Sequence, residues 1–285
     1  MAFHGIKQPS MMNKTNTSIL QISGESGGGQ LLRSALSLSM VTGQPFQMTN
    51  IRGQRPKPGL MRQHLTCVRA AAEVCGATVD GAELGSVELV FTPGKIAAGD
   101  YAFAIGSGGS TTLVLQTLLP ALLYAEAAST LRVEGGTHNP MAPTFDSVDR
   151  CFFPVLRTMG AKVAVTLAKP GFMQAGGGVL VAEISPIKKW KKLKLVERGE
   201  MISTSGRILN AHLPRNIAQR ELAAATKILP MPIEIVDAKD SIGPGNAMML
   251  CAEFANVCEI TAGIAQMGKS AESVGQGAAR ALRSY

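Results

Sequence analysis

Between Arg52 and His64 the chain gathers groups suited to holding phosphate. The run Arg52-Gly53-Gln54-Arg55-Pro56-Lys57-Pro58-Gly59-Leu60-Met61-Arg62-Gln63-His64 carries three arginines, a lysine and a histidine. Guanidinium forks can grip phosphate oxygens two at a time, and the two prolines stiffen the loop that presents them. Arg33 stands on the preceding helical stretch, close behind the glycine-rich run Gly24-Glu25-Ser26-Gly27-Gly28-Gly29-Gln30. A second such run, Gly106-Ser107-Gly108-Gly109-Ser110, follows later. Consecutive glycines between a strand and a helix let backbone N–H groups approach an anion at the helix N-terminus. They also permit tight strand-to-helix packing, and neither run matches a P-loop or a dinucleotide fingerprint. Both readings therefore stay open for the turns, whereas the arginine-rich segment reads as a phosphate clamp.

Three other features are weaker. Gln116 interrupts the apolar series Leu113, Val114, Leu115, Leu118 and Leu119, where a buried amide needs a partner in the backbone or a ligand. His138, in Gly135-Gly136-Thr137-His138-Asn139-Pro140, lies on a loop after a strand but has no carboxylate or nucleophile partner visible in sequence. The run KKWKKLK sets five lysines around Trp190. It reads as a solvated linker with one half-buried ring rather than a base-stacking platform.

The elements that must position these groups recur. Strand Ser18–Ile22, the first glycine run, a helix over LLRSALSLSMVTG, strand Phe46–Ile51, a helix from Leu60 to Cys75 and strands ending in Val87–Phe91 form one series. Strand Tyr101–Ile105, the second glycine run, helix Thr111–Tyr124, strand Thr130–Glu134, a helix near Phe145–Met159 and strands Lys162–Leu167 and Val179–Ile184 form the next. Ile51 and Val133, at equivalent points, are 82 residues apart, and the order reads as two βαβαββ copies. After Ser185 the rhythm changes to a strand near Met201–Leu209, a helix from Pro214 to Leu229 and strands at Ile233–Val236, Met248–Phe254 and Cys258–Ala265. The expected class is α/β (α+β), with a loose extension over 1–17, a body over 18–185, an inserted small α/β domain over 186–268 and a helix over 269–285 returning to the body.

Composition bounds the rest. A chain of 285 residues with 46% hydrophobic and 17% charged residues is globular in kind. No apolar run reaches the length of a bilayer span. The five cysteines form no CxxC pair and sit in apolar stretches, as buried thiols do in a reducing compartment, so a cytoplasmic protein without a cysteine metal site is expected. A net charge of +8 favours a polyanionic partner.

Taken together, the stretches GGGQLLRSALSLSMVTGQPF, IRGQRPKPGLMRQHL, CGATVDGAELGS, YAFAIGSGGSTTLVLQTLLPAL, GGTHNPMAP and GFMQAGGGV resemble the RNA 3′-terminal phosphate cyclases, and VERGE, LPRNIAQREL and GPGNA resemble that family's inserted small domain. The resemblance implies an ATP-dependent ligase, with a divalent metal (Mg or Mn), that turns RNA 3′-phosphate ends into 2′,3′-cyclic phosphates. It implies ATP contact for Gln116, and a place at the phosphate end of the site for Arg33, Arg52, Arg55, Gln63 and His64. The family has a glutamate directly before its three glycines, where this chain has Ser26 with Glu25 one position early. It also carries its nucleotidylated histidine in a third βαβαββ unit beyond the helix opening at Ser270. No catalytic residue is therefore assigned within these 285 residues. The expectations are impaired cyclisation, a homodimer or an aggregation-prone monomer, and, alternatively, a catalytically inactive RNA-binding relative of the kind used in ribosome assembly or RNA processing.

Overall fold

The structure, a computed structural model, describes residues 18–173 and 175–285; the expected extension over 1–17 and His4 lie outside the described residues. The fold is mixed α/β, built on three four-stranded sheets. The first sheet runs β1 (Leu20–Ser23), β2 (Phe46–Thr49), β4 (Leu89–Thr92), β3 (Thr78–Asp80). The second runs β5 (Asp100–Ala104), β6 (Ser129–Gly135), β8 (Gly178–Ser185), β7 (Lys162–Lys169). In each, the leading pair is parallel and the later strands are antiparallel. A parallel pair needs a crossover, and helix α1 (Gly29–Thr42) and helix α3 (Thr111–Leu122) supply the two.

Helix α1 buries Leu32, Ala35, Leu36, Ser39 and Met40, spaced as one helical stripe. It stops at Gly43, whose φ of 74° lets its N–H close on the Ser39 carbonyl. Helix α2 (Arg62–Cys75) buries His64, Cys67, Val68, Ala71, Val74 and Cys75 on the face turned to α1 and α3. One core spans both sheets, with Phe46 stacked on Phe91 at 5.7 Å. The single helix expected near Phe145–Met159 is broken into α4 (Phe145–Ser147), a π-helical turn (Val148–Phe152) and α5 (Phe153–Thr158). Pro154 in the first turn of α5 withholds a backbone donor, which favours the break there.

The third sheet runs β10 (Ile233–Asp237), β9 (Met201–Ala211), β11 (Gly245–Phe254), β12 (Cys258–Ile264) and carries helix α6 (Arg215–Thr226). Its core contains Ala278, Ala279 and Leu282 of the last helix, α7 (Ala271–Arg283). The sequence leads one to expect this helix to return to the first two sheets; it lies instead on α6, β11 and β12. Small residues set that packing, since a side chain at Gly275 would overlap the Glu221 carbonyl. Among the described residues no helix is long and apolar enough to cross a membrane.

Candidate functional site

Helix α1 begins without a side-chain cap. Gly28 occupies the N-cap with no side-chain hydrogen bond, and no acidic residue stands in the first turn, so the leading N–H groups are left for another acceptor. The parallel β1–β2 pair ends beside this turn, and the clamp loop returns to it: Gln54 N–H donates to the Glu25 carbonyl at 3.1 Å. Side chains from three segments then converge on the glycines. A Cβ on Gly28 would lie 2.8 Å from an Arg55 Nη, and one on Gly29 would overlap His64 Nε2 and sit 3.0 Å from an Arg33 Nη. At Gly28 the nearest atom would be Gln30 Oε1, and a side chain at either glycine would have to displace these side-chain ends.

The electrostatics are one-sided. Among the described residues none of Arg33, Arg52 or Arg55 has a carboxylate within ion-pair distance. Arg33 is partly buried and its Nε has no hydrogen-bond partner; burial pulls its pKa below the ordinary value, yet a guanidinium stays charged. Arg52, at a φ of 56°, is pinned by its own loop, donating from Nη1 to the Lys57 and Gly59 carbonyls at 2.8 Å each. Burial and then the neighbouring Arg55 lower its pKa. His64 is pushed down to about 4, first by burial and then by Arg52 and Arg33. It is therefore neutral near pH 7. Its Nδ1 accepts from Met61 N–H at 3.2 Å, which leaves the proton on Nε2, the atom that faces Gly29. Arg33 and Arg52 are partly buried and Arg55 is exposed; with a neutral donor beside helix N–H groups that no side chain caps, they form a cationic surface of the kind that favours anions.

Gln63 stands apart from this group. Its Oε1 accepts from Ser110 N–H at 2.6 Å, tying α2 to the second glycine turn. That turn is closed from several sides: Ser110 caps α3 by accepting from Leu113 N–H, Gly136 N–H donates to the Gly109 carbonyl at 2.7 Å, and Asn139 Nδ2 donates to the Gly108 carbonyl. Here the packing reading of consecutive glycines applies. Gln116 is exposed on α3, and among the described residues its side chain has no hydrogen-bond partner. The need for a buried partner lapses, and the amide is open to a ligand.

His138 has the partner that sequence did not show. The ring is fully buried, its Nε2 is 2.9 Å from Asp146 Oδ2, and its Nδ1 is 2.8 Å from Thr137 Oγ1. Asp146 also pairs with Arg207 of β9. Burial works to raise the Asp146 pKa, but the His138 hydrogen bond and Arg207 outweigh it and hold the carboxyl below its usual range. The network fastens the third sheet to the loop after β6 and exposes no reactive nitrogen. His212 is likewise engaged, with Nε2 2.7 Å from the Ser241 carbonyl. Trp190 packs on the main core and donates to Tyr124 Oη at 2.9 Å.

Glu25 and Ser26 are both exposed at the edge of the cradle. Among the described residues no group of three His, Cys, Asp or Glu side chains could hold a metal. A lone carboxylate is far short of a metal cage, though Mg²⁺ that arrives on phosphates rarely needs one.

Residues 24–276 match the family described as RNA 3′-terminal phosphate cyclase. A protein of Koribacter versatilis with that name is 50% identical over 273 residues, covering 95% of this chain and 77% of that protein. Proteins of the same name from Salmonella enteritidis and Salmonella gallinarum are each 48% identical over 260 residues, covering 91% of this chain and 77% of theirs. The match covers most of the chain, and the chain belongs to the RNA 3′-terminal phosphate cyclase family.

Proposed function

We propose that the cradle at Gly28 and Gly29 holds the phosphates of ATP and of an RNA 3′-phosphate end, and that the chain serves the ATP-dependent formation of 2′,3′-cyclic phosphate. The observation that carries this is the set of partly buried guanidiniums of Arg33 and Arg52 with Arg55, unpaired by any described carboxylate, around an uncapped helix. In the reaction, AMP from ATP becomes joined to the RNA 3′-phosphate and pyrophosphate leaves. The 2′-oxygen then attacks that phosphorus, loses its proton and expels AMP. Arginines and helix N–H groups stabilise the charge that builds on the phosphoryl oxygens. His64, as a neutral donor through Nε2, would orient one of them. Gln116 would meet the nucleoside part of ATP. A divalent metal, Mg²⁺ or Mn²⁺, would enter with the nucleotide beside Glu25 and neutralise phosphate charge there.

The two leading sheets, with the same strand order and the same parallel leading pair, support reading residues 18–185 as two copies of one βαβαββ unit. A second reading has its own support. His64, His138 and His212 are each held by hydrogen bonds that occupy a ring nitrogen. None of the three is presented as a nucleophile, which favours an RNA- and ATP-binding role for the described residues without self-adenylylation. Incubation with ATP labelled at the α-phosphate should give no covalent label while RNA bearing a 3′-phosphate binds more tightly than RNA ending in a 3′-hydroxyl. Stable label would reject the non-covalent reading; equal affinity for the two ends would reject the cradle.

A further inference from the structure

A groove leads away from the cradle along helix α2. Its walls are Arg62, Leu65, Thr66 and Arg69 on one side and residues 102–105 of β5 and its end on the other, around a cavity of about 260 Å³. Consecutive strand residues share one groove only along the hydrogen-bonding edge, because their side chains alternate between faces. Among the described residues β5 is an edge strand whose sole neighbour is β6, so the groove presents unpaired backbone donors and acceptors beside Phe103, whose half-buried ring packs on the core and stacks on Tyr101 at 6.2 Å.

The direction of the groove is fixed at both ends. Arg62 reaches the Gly106 carbonyl at 3.4 Å, beside Gln63 and the cradle residue His64, while Ala97 N–H bonds to the Val74 carbonyl at the far end of α2. Arg62 and Arg69 are exposed, face the same channel and have no described ion-pair partner. Seven helical residues separate them by about 10 Å, room for a dinucleotide step. Glu73, one turn beyond Arg69, faces Tyr101 and ends the cationic stretch.

We infer that this α2–β5 groove is the subsite for the RNA nucleotides immediately upstream of the 3′ end, with Arg62 and Arg69 on successive phosphates and β5 and Phe103 against a base. The inference rests on the reading of the cradle as the 3′-phosphate site. Charge and aromatic surface together suit a single strand, and the small volume suits a nucleotide better than a paired peptide strand.

Binding of a 3′-phosphorylated hexanucleotide and of a nucleoside 3′-phosphate, each across a salt series, tests it. The hexanucleotide should bind more tightly. Arg69→Ala should weaken it about fivefold and reduce the slope of log K against log salt by about one, leaving the nucleoside 3′-phosphate unaffected. Ala102→Leu, at an exposed position inside the groove, should weaken only the hexanucleotide. Unchanged hexanucleotide binding and slope in both variants would overturn the subsite while leaving the cradle standing, as would equal wild-type affinity for the two ligands. Failure of the wild type to bind either ligand would remove both. Competition by an oligoglutamate of equal charge as strong as by RNA would also overturn the subsite, showing a groove that reads charge alone.

Discussion

The two glycine-rich turns share a backbone plan and differ in what answers their N–H groups. At Gly106–Ser110 the chain answers itself: the Ser110 hydroxyl caps α3, Gln63 accepts from Ser110 N–H, and the Gly136 carbonyl accepts from Thr111 N–H. At Gly27–Gly29 no side chain caps α1, and arginines and His64 crowd in where an acceptor would be expected. A glycine turn before a helix is therefore only the frame of an anion site. The proposed site lies where the fold leaves donors unanswered and adds positive charge.

The sharpest way to break this contrast is to remove a cation. Arg33→Met should cost the 3′-phosphate ligand about 100-fold in affinity, in line with roughly 3 kcal/mol for a strong charge-assisted bond. The free protein should melt at a higher temperature than wild type, since a partly buried guanidinium without a carboxylate partner is replaced by an apolar chain. Calorimetric titration and thermal melting check the two halves. Lost affinity together with lost stability would make Arg33 a structural residue.

Next come the glycines. Gly29→Ala forces a methyl against His64 and should abolish most ligand binding. Gly109→Ala meets Ile105 at 2.8 Å and Gln63 at 3.0 Å and should cost about 2 kcal/mol of stability with little effect on the remaining affinity. A reversal of these two outcomes, read by melts and titrations side by side, would exchange the roles assigned to the turns.

His64 gives the contrast a pH dependence. Its folded pKa of about 4 lies below the ordinary value of 6.5, so the folded state favours the neutral ring. The stability this contributes is present above about 6.5 and is lost as pH falls towards 4. Between pH 7 and 5 the free protein should lose about 2 kcal/mol from this group, and His64→Gln should lose that much less. Equal acid sensitivity in denaturant melts would contradict it. The smallest effect concerns the closed turn: Gln63→Ala strands the Ser110 N–H and should cost about 1 kcal/mol, visible as a lowered denaturant midpoint.

Much of this was legible in the sequence, and for local reasons. The helix over LLRSALSLSMVTG, the helix ending at Cys75 and the strand Thr130–Glu134 are short-range patterns, and the structure forms α1, α2 and β6 there. The grouping of Arg52, Arg55 and His64 was legible because they lie within one turn and helix start. Gln63 plugging the second turn was not, since it joins residues 47 apart. The buried His138–Asp146–Arg207 chain draws its last member from the third sheet, which no spacing could reveal. Gln116 read as buried because its neighbours are apolar, but one position of α3 faces outward. The docking of α7 depends on Gly275 meeting α6 closely, a fact of packing rather than of pattern.

The central claim is that one glycine turn binds phosphate and the other does not. Amide chemical shifts of ¹⁵N-labelled protein, followed as a nucleoside 3′-phosphate is added, test it most directly. Saturable shifts at Gly28, Gly29 and Gln30, with Gly108, Gly109 and Ser110 unmoved, are the predicted result. Shifts at the second turn that match or exceed those at the first would contradict the account.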